Sequence, residues 1–354
     1  MNKLYSNLKI FKHPNKLLSI KDGNVTPPIM VRIKPTNVCD QKCYYCSTPV
    51  KATYVKNASD EFKYNDYLPW RIMKSLLDDL YNMGVKSVIL SGGGEPLVYK
   101  YIEDTLRLIR EYGFDYALIT NGWKLKGDIA KLLDDASWVR ISADSSSLKN
   151  YSNIRNIRDN ALLDIFKNIR EFNKIRRGHF GINYVVHKRN YKEVLDSAAT
   201  YKCLGVDNIK FAPLIDKNLD VGYHKNIKDD VSLQIKKAQD MYNSDTFQVI
   251  DRYTSPLDTS VVFKRDYSRC PMIQIVSSVA ANGKVYLCHD KAYMRGFDIG
   301  NLHKDRFKDI WMSKDTERIF KTFDAKKKCK HHCVWDSRNR IINEYMNMGD
   351  DNFI

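Results

Sequence analysis

No apolar run in this chain approaches the roughly eighteen residues that a membrane-crossing helix needs, so no transmembrane span is expected. The opening stretch, Met1 to Ile10, holds no continuous apolar segment, which argues against a secretory signal. Acidic residues are in deficit: 42 Asp and Glu stand against 58 Lys and Arg, a formal net charge of +16. Cysteine is scarce, with 8 in 354 residues. The first two absences make a cytoplasmic protein with no membrane partner the expectation. In that reducing compartment, cysteines at ligand spacing mean metal or catalysis rather than disulfides.

What is present supports a large core. Hydrophobic residues make up 43% and charged residues 28%, and the length suits one large α/β domain with a smaller appendage. The basic surplus could neutralise nucleic-acid phosphates. The Lys and Arg residues are nevertheless spread widely, and their densest run, Lys326 to Lys330, lies inside a cysteine motif. A nucleic-acid partner is therefore the weaker reading. A lysine-rich solvated surface, an acidic small substrate or an acidic protein partner would account for the same charge.

Residues 1–28 read as a polar lead-in, too short for a separate recognition domain. Ile29 to Ile33 reads as the first strand, and Lys51 to Asn65 as a polar surface excursion. From Pro69 onward, short apolar strands at 87–90, 116–120, 138–142, 181–186 and 208–212 alternate with amphipathic helical stretches, the last around 231–242. Six such strand–helix units predict a parallel sheet covered by helices, either a partial barrel or an open doubly wound sheet. Ligands of such sheets lie at the C-terminal strand ends. The informative polar residues gather there: a cysteine loop after strand one, Ser91 to Pro96 after strand two, Thr120-Asn121-Gly122 after strand three, and Ser142 to Asp144 after strand four.

The cysteine loop is Cys39-x3-Cys43-x2-Cys46. Three thiolates can hold three corners of one metal cluster, but they leave incomplete the closed four-ligand set of structural zinc or an ordinary electron-transfer cluster. One iron stays open to a non-protein ligand.

This motif, with Tyr45 before its last cysteine and Gly93-Gly94-Glu95 about fifty residues later, resembles the radical S-adenosylmethionine (radical SAM) superfamily from about Met30 to Pro213. The resemblance implies an α/β fold with a partial (β/α)6 barrel. It implies a 4Fe–4S cluster on Cys39, Cys43 and Cys46, with S-adenosylmethionine chelating the fourth iron. One-electron cleavage of that sulfonium gives methionine and a 5′-deoxyadenosyl radical, which abstracts hydrogen from substrate. By position, Tyr45 would pack against the adenine, Gly93 and Gly94 would admit the methionine end, and Glu95 would accept from its ammonium group. Ser142 and Asp144 would meet the ribose, with Asn121 a weaker candidate since Asn-Gly is also an ordinary turn. No general acid or base is identified; Asp144 is a candidate by position alone.

Cys203, between Tyr201 and Leu204, reads as a small core residue of a helix. Cys270, Cys288, Cys329 and Cys333 remain, with Asn282-Gly283 placed for a hairpin turn before Cys288. Four thiolates can close around a second cluster or around zinc, an alternative that His289, His331 and His332 keep open. The arrangement resembles the SPASM domain or its shortened twitch version. A full SPASM domain carries seven cysteines, so four imply a single auxiliary 4Fe–4S cluster, suited to accepting an electron from a substrate radical. The expected organisation is a lead-in over 1–28, the barrel over 29–245 and a SPASM/twitch-like cysteine-rich domain over 246–354.

The function expected is a radical SAM enzyme of oxidoreductase type, acting on a small molecule, a sugar or a peptide and supplied by a flavodoxin- or ferredoxin-type reductant. Two alternatives remain: an enzyme using the same radical on a nucleic-acid base, and a non-catalytic iron–sulfur or zinc protein.

Overall fold

β-branched apolar runs and amphipathic helices alternate through the chain, and in the computed structural model they form a parallel sheet with helices on its outer face. The structure describes residues 6–46, 61–215, 221–254, 265–330 and 333–349. Strands β1 (Met30–Ile33), β2 (Ser87–Leu90), β3 (Asp115–Thr120) and β4 (Trp138–Ser142) lie side by side in chain order. They continue into β5 (His179–Val186), β6 (Asn208–Pro213) and β7 (Gln248–Asp251), every neighbouring pair being parallel.

On the other side of β1 lies β8 (Val276–Val279), also parallel to it. The antiparallel strands β9 (Lys284–Tyr286) and β10 (Asp298–Asn301) follow, completing a 10-stranded sheet. This is the expected partial barrel, extended at both edges. β7 follows the helix Lys228–Tyr242 and pairs with β6, so the sheet runs on past residue 245. Its four residues are too short an apolar run to stand out in the sequence.

Register separates two faces, because paired residues of parallel strands point to the same side. Val31, Val88, Leu118, Val139, Ile182 and Ile209 share the main apolar core with helix residues such as Leu76, Leu106, Ile165 and Ala198. The residues alternating with them, including Arg32, Ile89, Arg140, Asn183 and Lys210, therefore line the opposite, inner face.

One local expectation, that for Cys203, is corrected, and two other stretches gain detail. The lead-in is structured where described, as a 3-10 turn Asn7–Lys12 and a helix Pro14–Lys21. Its Ile10, Leu17 and Ile20 form a second apolar cluster with Met272, Ile275 and Ile342, partners too distant in sequence for any local pattern to reveal. The excursion expected at Lys51 to Asn65 lies mostly outside the described residues. Within them, Phe62 packs on Tyr286 and Tyr293, and Glu61 pairs with Lys284 at 2.8 Å, so its end is anchored to β9. Cys203 is exposed, because it ends the helix Val194–Cys203 on the solvent side while Tyr201 and Leu204 take the core side. Among the described residues, no helix is long and apolar enough to cross a membrane.

Candidate active site

β1 delivers the chain through Lys34 and Pro35 to the loop carrying Cys39, Cys43 and Cys46, all half-buried. The glycine turn after β2 lies directly against the start of that loop. Gly94 N donates to Thr36 O and Glu95 N to Val38 O, each at 2.8 Å. A β-carbon at Gly94 would stand 1.9 Å from Val38 O, and one at Gly93 would stand 2.1 Å from Asn37 Oδ1. At position 94 the obstacle is backbone, so no side chain fits there. The glycines thus set the path of the chain into Cys39.

Glu95 is 3% exposed, and its carboxylate accepts from Thr120 Oγ1 at 2.6 Å, Asn121 N at 2.6 Å and Leu97 N at 3.0 Å. Burial nonetheless raises its pKa to about 7. A carboxylate offers about four lone-pair sites, so roughly one remains for an ammonium donor. Asn121 is also occupied. Its Nδ2 donates to Asp40 Oδ1 at 2.6 Å and its Oδ1 accepts from Trp123 N at 3.0 Å, tying the turn after β3 to the residue following Cys39.

Asp144 is 0% exposed and bound within the protein. One carboxylate oxygen accepts from Arg155 and from the Tyr45 hydroxyl, and the other from Val185 N at 2.9 Å. Asp144 thereby organises side chains instead of presenting a free carboxylate at the surface of the site. Tyr45 is held through its hydroxyl to Asp144, and its ring lies 5.3 Å from that of His187. The Ser142 carbonyl accepts from Arg155 at 2.8 Å.

Arg155 joins these groups and was not singled out from the sequence. It ends the helix Leu148–Arg155, whose polar residues carry little helical periodicity. The visible local signals are Ser147, which caps the start by accepting from Asn150 N, and Asn156, which stops the helix in the left-handed region at φ 49°. Besides Asp144 and Ser142, the guanidinium donates to Cys43 Sγ at 3.3 Å and Gln41 Oε1 at 3.4 Å. His187, just past β5, was likewise missed. It is fully buried, its Nδ1 accepts from Arg189 N at 3.2 Å, and burial lowers its pKa to about 4, so the ring is neutral.

Burial first, and then neighbouring negative charge that includes Cys43, raises the pKa of the Cys39 thiol to about 12. Cys43 is pushed up by burial and pulled back by Arg155. The four late cysteines also share one neighbourhood. Burial pushes Cys270 to about 12, with Cys333 and Cys329 adding to it, and Cys288 is raised by burial, Asp290, Cys270 and Cys333. Cys270 precedes β8 and Cys288 follows β9, which runs back along β8. This second set therefore lies at the N-terminal end of the barrel, opposite the first. Among the described residues, no three His, Cys, Asp or Glu side chains converge on a single ion-sized point; His331 and His332 lie outside them.

The donor sets fit iron–sulfur clusters, which require thiolates and spread them across several irons. Buried polar atoms around the first loop also await partners: Asp40 Oδ2, Gln41 Nε2 and Ser91 Oγ have none among the described residues. Such atoms normally find a partner in a native structure, and a bound polar cofactor would supply them.

An α/β partial barrel with a three-thiol loop at its C-terminal rim and a four-thiol site at the other end defines a class of iron–sulfur protein. Residues 33–200 match the Radical SAM superfamily and residues 270–334 match SPASM, an iron–sulfur cluster-binding domain. The chain belongs to the radical SAM superfamily and carries a SPASM domain. These domains imply a 4Fe–4S cluster with S-adenosylmethionine and an auxiliary cluster.

Among curated relatives, the GTP 3′,8-cyclase of Aquifex aeolicus is 29% identical over 316 residues, covering 80% of this chain and 89% of that protein. A GTP 3′,8-cyclase of Helicobacter pylori is 30% identical over 149 residues, with only 43% of its length matched. Among solved structures, Streptococcus suis SuiB bound to S-adenosylmethionine is similar in fold. Its TM-score is 0.64 at 17% identity, over 92% of this chain and 77% of that one. Native anSMEcpe with bound AdoMet has a TM-score of 0.59 at 19% identity, over 88% of each chain.

Proposed function

We propose that this radical SAM enzyme removes hydrogen from an unreactive carbon of a small molecule, sugar or peptide and passes an electron to the C-terminal cluster site, a net oxidation. The observation supporting this reading is that the inner face lies between the two cysteine sets. Lys34, at the end of β1, feels the charge of Cys46 and also that of Cys288. A substrate held there stands between a radical source and an electron acceptor.

Cys39, Cys43 and Cys46 would hold a 4Fe–4S cluster which, with S-adenosylmethionine bound, would supply one-electron reduction of the sulfonium and so the means of taking hydrogen from the substrate. The protein's contribution is placement. Cys39, Cys43 and Cys46 hold three corners, and Glu95 offers its remaining lone pair to the ammonium group. Ser142 and Tyr45 flank the nucleoside side. Asp144 acts through Arg155 and Tyr45 by fixing both. The Arg155 donor to Cys43 would stabilise added negative charge on that sulfur and so favour the reduced form of a cluster held there.

Cys270, Cys288, Cys329 and Cys333 close the second site, and a flavodoxin- or ferredoxin-type protein supplies electrons to the first. The Aquifex relative is named as a cyclase of GTP, which keeps nucleotides among the small molecules. Anaerobic reconstitution with iron and sulfide, followed by reduction with S-adenosylmethionine, should give 5′-deoxyadenosine and methionine. Fully iron-loaded protein that forms neither would overturn the reading.

A further inference from the structure

The inner face of the sheet carries a group of cations. Arg32 on β1, Arg140 on β4 and Lys210 on β6 all point to this side by strand alternation and register. Lys34 extends the β1 row and Arg252 follows β7. Opposite-face neighbours of the same strands, such as Val31, Val139 and Ile209, are wholly apolar core. The basic residues are thus confined to one side of the sheet.

Four of these cations are poorly compensated. Arg32, Lys34, Lys210 and Arg252 form no ion pair among the described residues. Arg32 Nε is buried without a hydrogen-bond partner, as are Ser278 Oγ beside it and Asn183 Oδ1 beside Lys210. Asp290 and Cys288 temper Arg32 and Lys34 at one end. Around Lys210, the charged neighbours that matter are all positive: Arg140, Arg252 and Arg32. Burial first, and then that crowding, lowers Lys210 to about 7.

Partly desolvated like charges held together in this way are costly unless an anion joins them. Clusters bound to the two cysteine sets would draw on Arg32 and Lys34, but no cysteine is among the charges acting on Lys210. Three strands each contribute a cation to one space, which is more than a single carboxylate would neutralise. A phosphate, multiply charged and ringed by acceptor oxygens, matches that set.

We infer that the inner face binds a phosphorylated small-molecule substrate, with Arg32, Arg140 and Lys210 gripping its phosphate. The inference rests on the radical SAM reading above for the reaction, and narrows the substrate from small molecules, sugars or peptides to a phosphorylated small molecule. The phosphate sits on the inner face, and the carbon to be attacked projects toward the rim where Cys39, Cys43 and Cys46 lie.

Isothermal titration of the full-length protein with sodium pyrophosphate tests this without any substrate or reaction. Wild-type protein should bind pyrophosphate, Lys210→Met and Lys210→Gln should each bind at least tenfold more weakly, and Lys210→Arg should stay within a few-fold. Lys174→Met, which removes an exposed lysine, controls for loss of charge and should bind as wild type. Circular dichroism confirms that each variant is folded. Three outcomes overturn the inference: no pyrophosphate binding by wild type, equal binding by folded Lys210→Met, or citrate binding as tightly as pyrophosphate with the same dependence on Lys210. The last would make the substrate a polycarboxylate. S-adenosylmethionine cleavage by wild type reports on the radical reading alone, so the two failures are distinguishable.

Discussion

Cys39, Cys43 and Cys46 sit in one short loop at the C-terminal rim of the barrel, whereas Cys270, Cys288, Cys329 and Cys333 are drawn from separate turns at the opposite end. The first set is placed by local backbone approach, through Gly93 and Gly94 lying against Asn37 and Val38. The second is assembled by tertiary folding, with Cys270 also reaching Asn339 Oδ1 at 3.5 Å. An open set depends on accurate placement of few ligands and leaves a coordination position for chemistry. A closed set depends on the whole C-terminal region and leaves none. A charged donor on a sulfur further distinguishes the first: Arg155 contacts Cys43, and among the described residues its carboxylate partner is Asp144.

The largest expected effect comes from breaking the open set. Cys43→Ala should abolish 5′-deoxyadenosine formation by the reconstituted enzyme, and cleavage retained at wild-type rates would remove these cysteines from the role. Next comes the buried ion pair. Arg155→Leu strands Asp144 and should lower unfolding free energy by about 3–5 kcal/mol, measured by denaturant titration, with Arg155→Lys intermediate. A change within experimental error would mean that Asp144 is satisfied without the guanidinium.

Breaking the closed set should be milder. Cys288→Ala should reduce iron by about one cluster's worth while uncoupled S-adenosylmethionine cleavage stays detectable. Loss of zinc with iron unchanged would reassign the site. The smallest effect concerns Glu95, whose pKa in the folded protein, about 7, lies above its ordinary value of 4.5. The folded state holds a proton there that the unfolded state has lost, so its contribution to stability should fall as pH rises from about 4.5 to 7, by at most about 1.4 kcal/mol per pH unit. Glu95→Gln should flatten that slope in thermal unfolding of the metal-free protein; an unchanged slope would assign it to another group.

Much of the barrel was legible because most of its strands are short apolar runs, several bounded by Gly or Pro, and most of the helices between them are amphipathic. Cys39, Cys43 and Cys46 were legible for a related reason: their spacing is local. Arg155 and His187 were not, since their meaning lies in contacts with residues far along the chain and nothing in their own windows marks them. Asp144 was placed at the correct strand end, yet its two buried partners become visible only when Tyr45 and Arg155 fold against it. The cationic inner face was hidden in the same way. The +16 charge was visible as a total, but strand register was needed to bring Arg32, Arg140 and Lys210 to one side.

The apolar cluster that joins Ile10, Leu17 and Ile20 to Met272 and Ile342 bears on how the molecule is made. During synthesis the early residues emerge first, and their partners leave the ribosome only after nearly all the barrel strands. Until then those side chains stay wet, and the helix Pro14–Lys21 has no surface to rest on. Contacts of such long sequence separation slow folding, because a large loop must close before they contribute. The barrel is thus free to form while its base stays unsealed, and docking of the early helix against the late segments completes maturation.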